Sequence, residues 1–294
     1  MTRDAHHLDR VTEITPGRRP PGNDAHLAAA LADGAGSLLR DLRAQVDAGT
    51  RSAATDDLRR AGDSLSHAYL AAALERERPG DAVLSEEGAD DPRRLAAERV
   101  WIVDPLDGTR EFAEREPGGT WRDDFAVHVA LWQRGAGLTD AAVGLPARGI
   151  VLRSDAPPRP TAAAAADVLA GRRPLRIAVS RTRPPAVARR LGERPDVDLV
   201  PMGSTGAKVA AVVEGVVDAY VHAGGQYEWD SAAPVAVARA AGFVATRLGG
   251  SPIAYNQADP WSPDLLVCHP ALHDLLRAHL AAVGPEPEEA GARR

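Results

Sequence analysis

The sequence predicts a mixed fold, α+β in its first half and α/β in its second. Three observations carry that prediction. After residue 174, strand-like and helix-like segments alternate regularly. Before residue 155, two helical stretches precede β-forming segments joined by short turns. No apolar run is long enough to span a bilayer; the best candidate, Val209 to Val221, is broken by Glu214 and Asp218.

Composition fits a globular chain. Its 294 residues are 44% hydrophobic and 26% charged, enough for a large core or two packed domains. A net charge of −6 gives no reason to expect a nucleic-acid or membrane partner, and requires that any anionic substrate be met by local cations. The lone cysteine, Cys268, cannot form an internal disulfide, and the N-terminus MTRDAHHLDR has no apolar signal. Both point to the cytoplasm.

Residues 1–22 are polar and carry Pro16, Pro20 and Pro21, so they read as a mobile tail. An N-terminal domain is expected over 23–155. Asp24 caps a helix through Leu27, Leu31, Leu38, Leu42 and Val46, and a second helix over 63–78 stops at Pro79-Gly80. A short strand, Ala82 to Leu84, ends in Ser85-Glu86-Glu87, and another covers Val100 to Val103. Phe125–Trp132, Leu138–Leu145 and Ile150–Leu152 read as antiparallel strands. Ser154 to Arg173, with APPRP and an alanine run, reads as a linker.

The C-terminal domain is expected over 174–283. Its strands are Leu175–Ser180, Val197–Met202, Val216–Val221, Phe243–Leu248 and Leu265–Cys268. Its helices are Pro184–Leu191, Thr205–Glu214, Ser231–Ala241 and Pro270–Ala282. Residues 284–294 form an acidic, frayed tail.

The chemistry gathers at VWIVDPLDGTREF (100–112). Asp104 and Asp107 follow an apolar strand and flank Pro105-Leu106, so both carboxylates can face one point, with the Leu106 carbonyl beside them. Adjacent carboxylates repel unless a cation lies between them, and a hard divalent ion such as Mg²⁺ takes oxygen ligands. Asp-Pro and Asp-Gly are also common turn dipeptides, so a plain turn competes with this reading. Glu86 ends the neighbouring strand and can reach the same cluster; an acidic surface turn is the alternative. Gly108-Thr109 opens a helix over 109–115 whose free N–H groups favour phosphate, and the Thr109 hydroxyl can orient water. Asp230, in Trp229-Asp230-Ser231-Ala232-Ala233-Pro234, is a further carboxylate or simply a helix N-cap, with Pro234 in the first turn. His128 reads as structural within its strand.

Asp-Pro-Leu-Asp-Gly-Thr, the upstream Glu-Glu and the downstream Trp-Asp-x-Ala-Ala resemble the inositol monophosphatase superfamily over roughly residues 25–283. The resemblance implies a layered αβαβα sugar-phosphatase fold and a Mg²⁺-dependent, lithium-sensitive phosphatase with two or three Mg²⁺ per site. Homodimers are common in that superfamily. It implies Glu86, Asp104, Asp107, Asp230 and the Leu106 carbonyl as metal ligands. Asp63 and Thr109 would activate water, and Gly108 and Thr109 would form the phosphate-binding turn. Gly108-Thr109-Arg110-Glu111-Phe112 and Gly203 to Lys208 are similar to segments of the actinobacterial, CysQ-type branch. That branch removes the 3′-phosphate of 3′-phosphoadenosine 5′-phosphate and of its phosphosulfate analogue in sulfur assimilation.

For a second phosphate the candidates are Arg181 and Lys208, the only lysine in the chain, with Ser204 beside them; Tyr227 can stack on a base. Leu-Arg-Arg-Ala-Gly-Asp before and at Asp63, and Ser180-Arg181-Thr182-Arg183, depart from the superfamily's usual Thr-x-Ala-Asp and Ser-Arg-Ser-His. Alternatives are an inositol monophosphatase, a fructose-1,6-bisphosphatase or a histidinol-phosphatase on the same scaffold, or a non-catalytic regulator that binds metal or nucleotide.

Overall fold

The computed structural model describes residues 24–159 and 162–284. The expected N-terminal tail, and all of the expected C-terminal tail except Gly284, lie outside the described residues. Helices α1 (Asp24–Asp47) and α2 (Thr55–Glu77) lead into strand β1 (Ala82–Ser85) and strand β2 (Arg99–Asp107). A single helical turn, α3 (Thr109–Phe112), precedes β3 (Ala126–Gln133), β4 (Gly137–Leu145) and β5 (Ile150–Arg153). Then follow α4 (Ala162–Leu169), β6 (Leu175–Ser180), α5 (Ala186–Leu191), β7 (Val197–Met202) and α6 (Thr205–Val213). The chain continues through β8 (Ala219–Tyr227), α7 (Glu228–Ala240), β9 (Val244–Thr246), β10 (Trp261–Cys268) and α8 (His273–Val283). No helix among the described residues is long and apolar enough to cross a membrane.

The first sheet runs β1-β2-β3-β4-β5, with β1 parallel to β2 and the other pairs antiparallel. The second runs β7-β6-β8-β10-β9, parallel through β8 and antiparallel beyond it. Side chains alternate across each strand, so each sheet buries two faces. In β2, Trp101 and Val103 pack against α1 and α2, while Val100 and Ile102 face α6 and α7. In β6, Ala178 faces α6 and α7, while Ile177 and Val179 pack with residues of α4, α5 and α8. The order of layers is therefore helix, sheet, helix, sheet, helix: the αβαβα arrangement that the resemblance implied. Double burial also explains why these strands read as unbroken apolar runs.

Several local readings need correction. The span 154–173 is not wholly a linker, because Ala165 and Val168 of α4 are buried against the second sheet. Asp63 lies within α2, which begins at Thr55, instead of at a helix start. The helix at Thr109 ends at Phe112. The strand expected at Val216 begins at Ala219 and runs on to Tyr227.

Candidate active site

Parallel pairing of β1 with β2 sets Ser85 opposite Val103, so the next residues, Glu86 at the end of β1 and Asp104 within β2, come side by side. Strand β2 does not stop at Val103. It continues through Asp104-Pro105-Leu106-Asp107, with an irregularity against β3 between the two aspartates. Pro105 falls within that irregularity, where a missing N–H costs the ladder least. Its carbonyl accepts from Ser66 Oγ of α2 at 2.6 Å.

Asp104, Asp107 and Asp230 offer oxygen atoms all within 4.8 Å of one another. Asp104 is 1% exposed; one of its oxygens accepts from the Leu106 N–H at 3.0 Å, and the other, Oδ2, has no hydrogen-bond partner. A buried, unpartnered carboxylate oxygen facing two more acids is costly unless a cation meets it. The donors are hard oxygens, as Mg²⁺ requires. The residues present therefore fit a divalent metal site.

Asp107 Oδ2 accepts from Ser204 Oγ at 2.6 Å and from the Gly206 N–H at 2.8 Å, which leaves Oδ1 on offer. Ser204 adopts φ +45°, a strained value for a residue with a side chain. Its hydroxyl holds it there by donating to Asp107 and accepting from the Ala207 N–H at 3.0 Å. Asp230 is the third residue of α7, not its N-cap: its carboxylate accepts from the Tyr227 N–H at 2.6 Å. Pro234 lies deeper in that helix than the first turn, and its missing N–H removes the usual donor to the Asp230 carbonyl.

The electrostatics follow from crowding. Burial, then the charge of Asp107, pushes Asp230 up to about 8. Burial, then Glu86, Asp107 and Asp230, raises Asp104 well above the ordinary carboxylate range. Glu86 is exposed as a residue, yet its carboxyl group sits among the acids, and desolvation with the charges of Asp107, Glu87 and Asp63 pushes it up to about 7. Asp63 rises to about 6 through burial and the nearby charge of Glu87.

Thr109 joins Asp63 to this cluster. Its hydroxyl lies 3.2 Å from Asp63 Oδ1 and 3.1 Å from the Leu106 carbonyl, and donates to either. Gly108 enables the approach with φ +85°; a Cβ there would press on Ser204 Cβ at 3.2 Å and on Phe125 Cα at 3.3 Å.

The remaining expected residues make their contacts outside the acidic cluster or along its edge. Arg181 is paired with Glu111 Oε1 at 2.8 Å and Glu114 Oε2 at 2.6 Å. Lys208 is buried: its Nζ donates to the Gly203 carbonyl at 3.1 Å and lies over the Tyr220 ring at 5.1 Å. Desolvation lowers its pKa against the opposing pull of Asp107, Glu111 and Asp124. Tyr227 stacks on Trp229, with ring centroids 4.7 Å apart and planes 11° from parallel. His128 is buried within β3, as a structural residue is expected to be, and its ring lies 3.3 Å from Asp107 and 4.0 Å from Asp104.

Comparison with known proteins places this geometry. The inositol monophosphatase family model matches residues 23–151 and 171–284. The chain belongs to the inositol monophosphatase family. It is 50% identical over 264 residues to the 3′-phosphoadenosine 5′-phosphate phosphatase of Mycobacterium leprae, covering 86% of this chain and 92% of the relative. It is 52% identical over 252 residues to the protein of the same name from Mycobacterium tuberculosis, covering 84% and 89%. The crystal structure of CysQ from Bacteroides thetaiotaomicron superposes with a TM-score of 0.68 at 26% identity, over 84% of this chain and 97% of that one. The expected family and its layered fold are both borne out.

Proposed function

We propose that this protein is a Mg²⁺-dependent phosphomonoesterase that removes the 3′-phosphate of 3′-phosphoadenosine 5′-phosphate, and of its phosphosulfate analogue, in sulfur assimilation in the cytoplasm. The observation that carries the reading is the half-identity, over nearly the full length, to relatives named for that activity, in a chain whose acidic cluster is intact.

Glu86, Asp104, Asp107, Asp230 and the Leu106 carbonyl would hold two or three Mg²⁺ ions. Bound there, the metal supplies Lewis acidity toward the phosphoryl oxygens and lowers the pKa of water. The chain's own residues do the rest. When the Thr109 hydroxyl donates to Asp63 Oδ1, its lone pairs are free to accept a hydrogen bond from an attacking water. A proton then passes by way of Thr109 Oγ1 to Asp63, whose raised pKa suits it to receive one. Gly108 and Thr109 present backbone N–H groups to the scissile phosphate. Ser204 holds Asp107 in place at the phosphate's edge. Arg181 gives up part of its hold on Glu114 to meet the second phosphate, and the enclosed Lys208 acts through its charge. The Tyr227–Trp229 stack, three residues or fewer from Asp230, supplies the aromatic surface a purine favours.

The test is phosphate release from 3′-phosphoadenosine 5′-phosphate and inositol 1-phosphate, side by side with Mg²⁺, with and without lithium. Strong preference for the nucleotide and suppression by lithium are expected. Preference for inositol 1-phosphate would keep the metal site and overturn the substrate.

A further inference from the structure

His128 is the side chain whose placement the fold alone does not explain. Along β3 the residues facing α6 and α7 are Ala126, His128 and Ala130, while Val127, Val129 and Leu131 face α1 and α2. A small apolar residue would therefore continue the row. The chain instead buries a whole imidazole at 0% exposure, and its Nε2 makes no hydrogen bond. Burying polar atoms in this way costs stability, so some other contact must favour the ring.

Its neighbours supply that contact. Asp104 is the direct cross-strand partner of His128. Nδ1 lies 4.0 Å from Asp104 Oδ2 and 3.2 Å from the Trp229 carbonyl, and Nε2 lies 3.3 Å from Asp107 Oδ2. A carbonyl only accepts, so the Nδ1 proton is directed at Trp229, the residue immediately before Asp230. On the far side, α6 closes over the ring with a glycine: a Cβ at Gly206 would come within 2.2 Å of Nε2. The Gly206 N–H is itself bound to Asp107.

We propose that His128 is a positioning residue for the metal centre. One buried ring spaces the β2 carboxylates from the start of α7, so that Asp230 meets Asp104 and Asp107 at the separation a shared divalent cation needs. The proposal rests on the divalent-cation reading of the site and is independent of which phosphate ester is hydrolysed. The link to Trp229 fixes the ring, and the ring fills the space beside Asp107 Oδ2, leaving that oxygen to Ser204 and Gly206. Such outer contacts are worth about 10–100-fold in metal affinity where they have been removed.

The experiment measures Mn²⁺ binding directly, by calorimetry on chelator-stripped protein with no substrate present, alongside the Tm of each stripped variant. H128A and the volume-filling H128L are expected to bind Mn²⁺ about 10–100-fold more weakly than wild type. H128N, whose amide nitrogen takes the place of Nδ1 and donates to Trp229, is expected to recover most of that affinity. A purely structural role would lower Tm and leave the affinity of the folded protein unchanged. Affinity within twofold of wild type in a folded H128A or H128L overturns the proposal, and so does H128N binding no better than H128L. Wild-type protein that binds no Mn²⁺ would remove the metal reading beneath it, and phosphate release from the nucleotide that needs no divalent metal would do so independently.

Discussion

Two acids, the buried Glu228 and the half-buried Asp230, begin the same helix and meet opposite treatment. Glu228 is 2% exposed, and its carboxylate accepts from the Asn256 N–H at 2.6 Å and the Gln257 N–H at 2.8 Å. Arg94, itself 1% exposed, donates to Asn256 Oδ1 at 2.7 Å, and its charge lies near the Glu228 carboxylate. Asp230 faces Asp107 and the unpartnered oxygen of Asp104. Both acids are pushed upward by burial, Glu228 to about 7 and Asp230 to about 8. The difference lies in what surrounds each carboxylate: two loop N–H groups close on Glu228, whereas Asp230 has the Tyr227 N–H and, beyond it, only other acids. The first arrangement serves stability and the second keeps a place for a ligand.

Substitutions should separate the two. The largest effect is expected from Asp104→Asn, with turnover falling on the order of 1000-fold while the Tm of metal-free protein holds or rises, because one of several crowded charges is gone. A drop in metal-free Tm would instead make Asp104 an acid of the Glu228 kind. Thr109→Ala should cost about 100-fold in kcat, with Thr109→Ser retaining most of it, if the hydroxyl relays a proton to Asp63. Equal losses in both would break the relay. Glu228→Ala strands two backbone donors and should lower stability by about 3 kcal/mol, read by denaturant unfolding with and without Mg²⁺. Mn²⁺ affinity of the folded variant should change little.

The smallest effect is a pH slope. Asp63, Glu86 and Asp230 have folded pKa values of about 6, 7 and 8, above those of an unfolded carboxylate. The native state thus keeps protons that the unfolded state has released, and the stabilising difference, full at low pH, is lost as pH rises through those values. Metal-free protein should have a lower Tm at pH 8 than at pH 5.5. Mg²⁺ should remove most of the slope and leave the share belonging to Glu228. A slope indifferent to Mg²⁺ would mean that the acids of the cluster do not meet the cation.

Much of this was legible in the residues. β6 and β7 have the bounds the sequence suggests, because each is a mostly apolar segment that begins just after a turn-forming residue, Pro174 or Asp196. The pairing of Glu86 with the Asp104 segment also followed from two strands ending in acids. Less legible was whatever depends on the neighbouring strand. Proline and glycine in Asp-Pro-Leu-Asp-Gly suggest that β2 ends early, yet β3 pairs with it as far as Asp107. Asp63 reads as a helix start because Ala-Gly precedes it, although Leu58 is already buried in α2. Glu111 and Arg181 lie in separate parts of the sequence, and only the fold brings them together. For His128, alternation marks which face the side chain takes without saying that Asp104 and Asp107 wait there.

The placement of Asp230 bears also on how the chain assembles. Asp104 belongs to β2 of the first sheet, whereas α7, which carries Asp230, follows β8 of the second and packs back against the first. The two carboxylates belong to segments far apart in sequence, and closing so long a loop is an entropic cost met only once the second sheet has formed. A cation held by both would clasp the two segments together. It should slow unfolding more than it speeds refolding wherever that contact is absent from the transition state.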